Sequence, residues 1–372
     1  MTSPTSRTYR TITNQDGFSP DLLEGLADPL VQAAHNVEQE IIIKVTQEAI
    51  KPQAKKGGLR RRLTRFTNRL FNRLIKRAKT TEQEATTIGT KAATVLTARI
   101  IPPQSPPKVE LPTAPKPPRN PEQGVTVRIP KALHETITEL IPQVSKSGNQ
   151  LYDQIVEAIG KNPPNSEAGR RRVAQQLLDT FNKKGITGFV DKAGRNWNLV
   201  SYVEMATRTA TATLAREAHV KQLTKLGLDV VRVTVMPDCN PLCLPFQGRL
   251  LSLTGRVKKN YHGEEVVATL AEAMIRGFQH INCRHTIQVV IPGQEVKDPD
   301  LIDPGDYQAT QHLRRLERDV RVAKRAKETA LTTEARHKAQ QQLTHAQQKI
   351  RTHIHKTGIS RKRLREQINL AL

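Results

Sequence analysis

Five residues in two short stretches of the 372-residue chain combine donor types suited to thiol or metal chemistry. Cys239 and Cys243 lie in "MPDCNPLCLPFQGR" (236–249), and His280, Cys283 and His285 in "HINCRH" (280–285). Thiolate and imidazole are the ligands of tetrahedral zinc. Cys239, Cys243 and Cys283 with His285, or with His280 in its place, would supply four donors. Pro241 stiffens the loop between the first pair, and H-x-x-C-x-H is not a tight C-x-x-C knuckle. Zinc is therefore the minority reading, and no other cofactor is expected. A cysteine with His280 or His285 as its base would be a nucleophile. Used as acid and base, the two histidines beside Cys283 would suit a nuclease or toxin. Nothing in the sequence specifies the lowered thiol pKa that nucleophilic chemistry needs. On residue chemistry alone the favoured reading is structural. In it Gly248, His280, Cys283, Arg284 and His285 shape loops, Pro237, Pro241 and Pro245 fix turns, and the cysteines fill space.

The elements around these loops are strands. "DVVRVTVM" (229–236) is rich in β-branched residues, and "GRLLSLTG" (248–255) and "HTIQVVIPG" (285–293) are similar apolar runs, each ending in turn residues. "EEVVATLAEAMIRG" between the last two reads as a helix. Upstream, "KALHETITELIPQV" and "NQLYDQIVEAIG" read as helices, the second ending at Gly160. Ser166 is placed to cap a helix that Gly185 ends, and a turn at Ala193-Gly194 precedes a long helix to about Leu226, stopped by Gly227. The expected fold class is α+β: mostly helical, with a small antiparallel sheet in a central domain (125–305) and long helical basic arms.

Charge organises the flanks. The formal net charge is +24. Residues 51–79 carry twelve Lys/Arg and no acid, and residues 307–372 carry sixteen against five acids. In "LRRRLTRFTNRLFNRLIKRAK", Arg61, Arg65, Arg69, Arg73 and Arg77 recur every four residues opposite Leu59, Leu63, Phe66, Leu70 and Leu74. Such a stripe repels itself when alone and is relieved by phosphates. A second basic helix begins near Tyr307 and carries Arg314, Arg315, Arg318, Arg321, Lys324 and Arg325. Its apolar seam is too narrow to fold alone. Both point to a large polyanion such as nucleic acid, with an anionic membrane surface as the rival. Aromatics at 3% leave little to stack on bases, which favours double-stranded DNA. The division expected is an acidic amphipathic helical arm (1–50), a basic helical segment (51–100), a proline-rich linker (101–124), the central domain, and basic C-terminal helices (306–372). In the first, Leu30, Ala34, Val37, Ile41 and Val45 share one helical face. Three cysteines cannot all pair, no apolar run is long enough for a membrane span, and "MTSPTSRTYR" lacks a signal-peptide core, so a reducing cytoplasm is expected.

Four blocks in order resemble the phage minor capsid proteins related to Mu-F-like head morphogenesis proteins. They are "KGITGFVDKAGRNWNLVSYVEMATRT" (184–209), "CLPFQGRLLSL" (243–253), "HINCRHTIQVVIPG" (280–293) and "YQATQHLRRLERDVRVAKR" (307–325). The resemblance implies a structural, non-enzymatic minor head component near the portal, acting in assembly, packaging or delivery of DNA. It implies portal and major capsid or scaffold proteins as partners, the virion as destination, and the host cytoplasm during assembly. It supplies no catalytic residues. It also implies a variable residue at the position of Cys239 and a steadier "CRH" block.

Overall fold

The computed structural model describes residues 20–100, 132–161, 164, 166–190, 196–236, 239–260, 263–290 and 305–368. The helices among them are α1 (Pro20–Ala49), α2 (Arg60–Ile100), α3 (Leu133–Thr138), α4 (Ile141–Lys161), α5 (Glu167–Lys184), α6 (Leu199–Lys225), α7 (Leu270–Ile275), α8 (Gly305–Glu328) and α9 (Thr333–Thr357). The strands are β1 (Thr187–Val190), β2 (Asn196–Asn198), β3 (Val230–Val233), β4 (Leu250–Ser252), β5 (Val266–Thr269) and β6 (Ile287–Val289). The fold is α+β and mostly helical. The proline-rich linker (101–124), Pro237 and the Ala193-Gly194 turn lie outside the described residues.

The largest core is helical. Leu30, Ala34, Val37, Ile41 and Val45 are buried as their spacing predicts, and they meet Leu59, Leu63, Leu70 and Leu74 of the α2 region. Leu133, Ile137, Val144, Leu151 and Ile155 from α3 and α4 join them, as do Leu199 and Val203 from α6. The divisions at residues 50 and 100 suggested by charge therefore do not divide this core. Nor is α1 a free arm: it packs on α2, α4 and α6 and is buried along most of its described length. Phe66 is only half-buried, whereas Phe71 on the same helix is fully enclosed.

Local signals set several helix ends. The Ser166 hydroxyl accepts from the Gly169 amide at 3.1 Å, and Gly185 at φ 70° lets its amide reach the Phe181 carbonyl. The expected break between two helices near 145–148 falls instead at 139–140, and Pro142 sits in the first turn of α4. There its missing N–H costs nothing.

The four-stranded sheet has the order β5-β4-β3-β6. β3 pairs antiparallel with β4 and with β6, but β5 lies parallel to β4, so the sheet is mixed rather than purely antiparallel. β5 occupies the first half of the segment read as a helix from sequence. Its β-branched Val266 and Val267 pair as strand, and only Leu270 onward is helical, opened by a Thr269–Glu272 capping box. One face of β3 and its neighbours places Val231, Val233, Leu251 and Ile287 in a core shared with Leu223 of α6 and with Cys239, Cys243 and Cys283. The other face holds Val230, Leu250 and Val290.

Beyond residue 305 the chain folds back on itself as an α8–α9 hairpin with its own apolar seam, Leu313, Leu316, Val320 and Ala323 against Leu343, Ala346 and Ile350. The seam judged too thin to fold alone is thus completed by its own chain. Thr332 caps α9 through the Ala335 amide at 3.1 Å, and Gly358 at φ 70° closes it. Where basic C-terminal helices were expected to run to residue 372, the described chain after Gly358 holds a single 3-10 turn, Arg363–Glu366.

Candidate metal centre and basic surface

Two loops at strand ends build the Cys/His cluster. In the first, the Asn240 carboxamide oxygen accepts from the Leu242 amide at 2.9 Å, and its backbone carbonyl accepts from the Cys243 amide at 2.9 Å. This turn leads into a 3-10 turn, Leu244–Phe246, and turns Cys243 inward until it is fully buried. Gly248 at φ 74° then returns the chain to β3, its amide donating to the Val233 carbonyl at 3.1 Å. In the second loop Gln279 (φ 59°) and Asn282 (φ 64°) are left-handed without being glycine. The Asn282 amide donates to the Thr209 hydroxyl on α6 at 3.0 Å.

The loops bring three of the five donors together and set a fourth, His285, against one of them. Cys243 Sγ, Cys283 Sγ and a His280 ring nitrogen lie within 4.8 Å of one another. The sulfurs are 3.6 Å apart, and His285 Nδ1 is 3.4 Å from Cys283 Sγ. Cys239 does not join them: its thiol donates to the adjacent Asn240 carbonyl at 3.3 Å. The close group is therefore Cys243, His280 and Cys283, with His285 beside Cys283 and with His280, not Cys239, next to the other two thiols. Phe246 and Phe278, 5.6 Å apart, back the site, and Phe278 lies 6.1 Å from the His285 ring.

The three thiols are electrostatically distinct. Burial pushes Cys239 up to about 12. Cys243 is held well below the ordinary thiol value chiefly by its contact with the Cys283 thiol, with His280 and His285 adding in the same direction, against the opposing effect of burial. Cys283, the donor to that thiolate, is raised. His280 is raised by the same Cys243 contact. A cavity of about 580 Å³ opens beside the cluster, lined in part by His280, Cys283, Arg284, His285, Tyr307 and Arg314. The imidazoles turn toward the thiols and toward the Ile281 carbonyl and the Gln247 carboxamide (2.8 and 2.9 Å), so they do not present an acid and a base to a substrate in that cavity. The geometry suits holding a cation better than nucleophilic attack.

The basic residues divide into an outer and an inner set. On α2, Arg61, Arg65, Arg69 and Arg73 are exposed and Arg77 is half-buried. Arg73 is 3.4 Å from Glu40, whereas Arg61, Arg65 and Arg69 have no ion pair among the described residues. On α8 only Arg315 and Arg318 are exposed. Arg325 is buried against Glu38 of α1, whose other oxygen accepts from the Ile186 amide at 2.8 Å. Arg321 donates to the Arg365 carbonyl and faces Glu204 at 4.0 Å. Lys324 donates to Gln367 at 2.7 Å, and Arg314 lines the cavity. Burial lowers the pKa of Arg314 and Lys324, and that of Arg325 to about 10. Of the residues expected as DNA contacts, Arg321 and Arg325 are thus buried, while Arg314 and Lys324 are half-buried.

A model of the family described as phage minor capsid protein 2 matches residues 122–355. The chain belongs to that family. No curated protein and no solved structure matches it. The match makes it a structural component of the phage virion that associates with other head proteins. In this minor capsid protein the matched span contains the sheet, both Cys/His loops and α8. Helices α1 and α2 lie outside it and still supply a large part of the core. Among the described residues no helix is long and apolar enough to cross a membrane.

Sequence reasoning passed over several residues that shape the minor capsid protein's sites. Gln247 lies inside the quoted "CLPFQGRLLSL" block and orients His285. Tyr307 opens the fourth block and accepts from the Asn240 side chain at 3.1 Å. Glu38 follows Ala34 by four residues, so its place on the buried face of α1 was detectable from phase alone.

Proposed function

We propose that this minor capsid protein sits near the portal, in contact with portal and major capsid or scaffold proteins, and holds double-stranded DNA without sequence preference during assembly, packaging or delivery. The observation that carries this reading is the outer face of α2. Arg61, Arg65 and Arg69 stand on it, exposed and without acidic partners among the described residues. A four-residue repeat on a helix spaces them by about 6 Å along its axis. A duplex carries one charge per about 1.7 Å of its axis, so each guanidinium has phosphates within reach. Arg315 and Arg318 on α8 form a smaller second patch. With aromatics at only 3% of the chain there is little to stack on unpaired bases, which favours backbone contact with duplex.

The test is the salt dependence of duplex binding. Replacing Arg61, Arg65 and Arg69 together by Ala should reduce the slope of log K against log salt by about 2 to 3, equally for unrelated sequences. The pair Arg315→Ala and Arg318→Ala should reduce it by less than about 2. Because all five side chains are exposed, the variants should fold as the parent does. An unchanged slope in the triple variant rejects the α2 face as the DNA contact.

A further inference from the structure

We propose that Cys243, His280, Cys283 and His285 form a tetrahedral zinc site that staples the loop before β4 to the loop before β6. The spacing of the donor atoms carries the inference. Zinc bonds of about 2.3 Å to sulfur and about 2.0 Å to nitrogen require edges of about 3.8 Å between two sulfurs and about 3.5 Å between sulfur and nitrogen. The observed Cys243–Cys283 separation is 3.6 Å, and Cys283 Sγ to His285 Nδ1 is 3.4 Å. The sulfurs are too far apart for a disulfide, which needs about 2.05 Å. The His280 nitrogen lies within 4.8 Å of both sulfurs and makes a three-donor group, and His285, in contact with Cys283, is the fourth donor that closes on the ion when it binds.

Hydrogen bonds outside the cluster prepare both imidazoles as ligands. The Ile281 carbonyl can only accept, so the 2.8 Å contact places the proton of His280 on Nδ1 and leaves Nε2 bare. The Gln247 side-chain oxygen already accepts from the Met236 amide at 2.9 Å, which fixes its orientation. His285 Nε2 must then be its second donor, at 2.9 Å, leaving Nδ1 bare on the side of Cys283. A carbonyl or carboxamide oxygen behind each ligating imidazole is the arrangement that sets tautomer and ring angle in metal sites. The backbone supports the same reading. Left-handed Gln279 and Asn282 flank His280 and bring the "HINC" loop round so that His280 and Cys283 face Cys243. Conformations of this kind cost on the order of 1–3 kcal/mol each and persist where the surroundings hold them. Four protein ligands, two aromatic rings behind them and a fully buried Cys243 describe a closed structural site.

The experiment uses the full chain expressed in zinc-containing medium. After exhaustive dialysis, elemental analysis should find one zinc per chain, released by a mercurial that titrates thiols. Exchange for Co2+ should give the strong visible bands of a tetrahedral ion together with a thiolate-to-cobalt charge-transfer band. Cys239→Ser should keep the metal and the cobalt spectrum, whereas Cys243→Ser and Cys283→Ser should lose at least ten-fold in retained zinc. If the cysteine variants fail to fold, the wild-type and Cys239→Ser cobalt spectra still decide. Wild-type protein without zinc, or with weak octahedral cobalt bands, overturns the site. Loss of metal from Cys239→Ser overturns the ligand assignment.

Discussion

His219 lies on α6 with 1% of its surface exposed, and burial lowers its pKa to about 4, against the effect of a hydrogen bond with the Gly89 backbone. His35 on α1 is lowered in the same direction, first by burial and then by Arg321 and Arg325. Both are neutral in the fold, while in the unfolded chain they titrate near 6.5. Their contribution is fully present above pH 6.5 and is lost as pH falls through 6.5 toward 4, because the unfolded state takes up protons that the fold resists. For His219 alone this amounts to about 3 kcal/mol. Urea unfolding at a series of pH values should therefore show a steep loss below pH 6.5 that is shallower in His219→Gln. Parallel profiles for variant and parent would reject His219 as a source of acid sensitivity. None of this was legible in the sequence, where His219 is one of eleven histidines and its depth depends on α2 crossing α6. The cluster residues were legible as types, but their grouping was not. Cys239 is the near neighbour of Cys243 in sequence, yet His280, 37 positions away, is the one that β3, β4 and β6 bring beside it.

At the scale of elements, the crossing of α2 and α6 is the contact with the least room to change. A methyl group built on Gly89 would overlap the backbone carbonyl oxygen of Ala215, which cannot move without shifting α6. Gly25 on α1 has nothing within 4 Å of the same position. Gly89→Ala should therefore destabilise by about 3 kcal/mol or more, while Gly25→Ala should stabilise by about 1 kcal/mol through helix propensity. Calorimetric melting of the two variants beside the parent checks both signs, and a harmless Gly89→Ala would show that the helices are not in close contact there. Elements set by local signals were readable in advance: the apolar face of α1, the cap at Ser166, and the stops at Gly185 and Gly227. Those set by pairing were not. Val266-Val267 sits beside a helical pattern and becomes strand only because β4 offers an edge. The break at Thr332 went unread because the sequence on either side favours helix and only the hairpin contact demands a turn.

For the whole molecule, the positive charge is not a single binding surface. Composition shows that two segments hold nearly all of the net +24, but it cannot show which arginines turn inward. The inner set, helped at one point by Arg318 of the outer set, clusters around acids such as half-buried Glu204 and buried Glu38. Burial raises the pKa of Glu204, but Arg208, Arg321, Arg314 and Arg318 outweigh it and hold it below the ordinary value. Glu38 and Arg325 join helices 287 residues apart in sequence. Removing one partner leaves the other charge buried and uncompensated, so Glu38→Gln or Arg325→Met alone should cost about 3–5 kcal/mol. The double variant should cost clearly less than the sum, with a coupling of at least about 1 kcal/mol measured by denaturant unfolding; strict additivity would reject the pair as a unit. The same pair bears on the order of events at the ribosome. The helical core built from α1, α2, α4 and α6 encloses a carboxylate that stays without its counter-charge until residue 325 has been translated. The protein should therefore resist settling while still nascent and reach its stable form only after most of it has been synthesised.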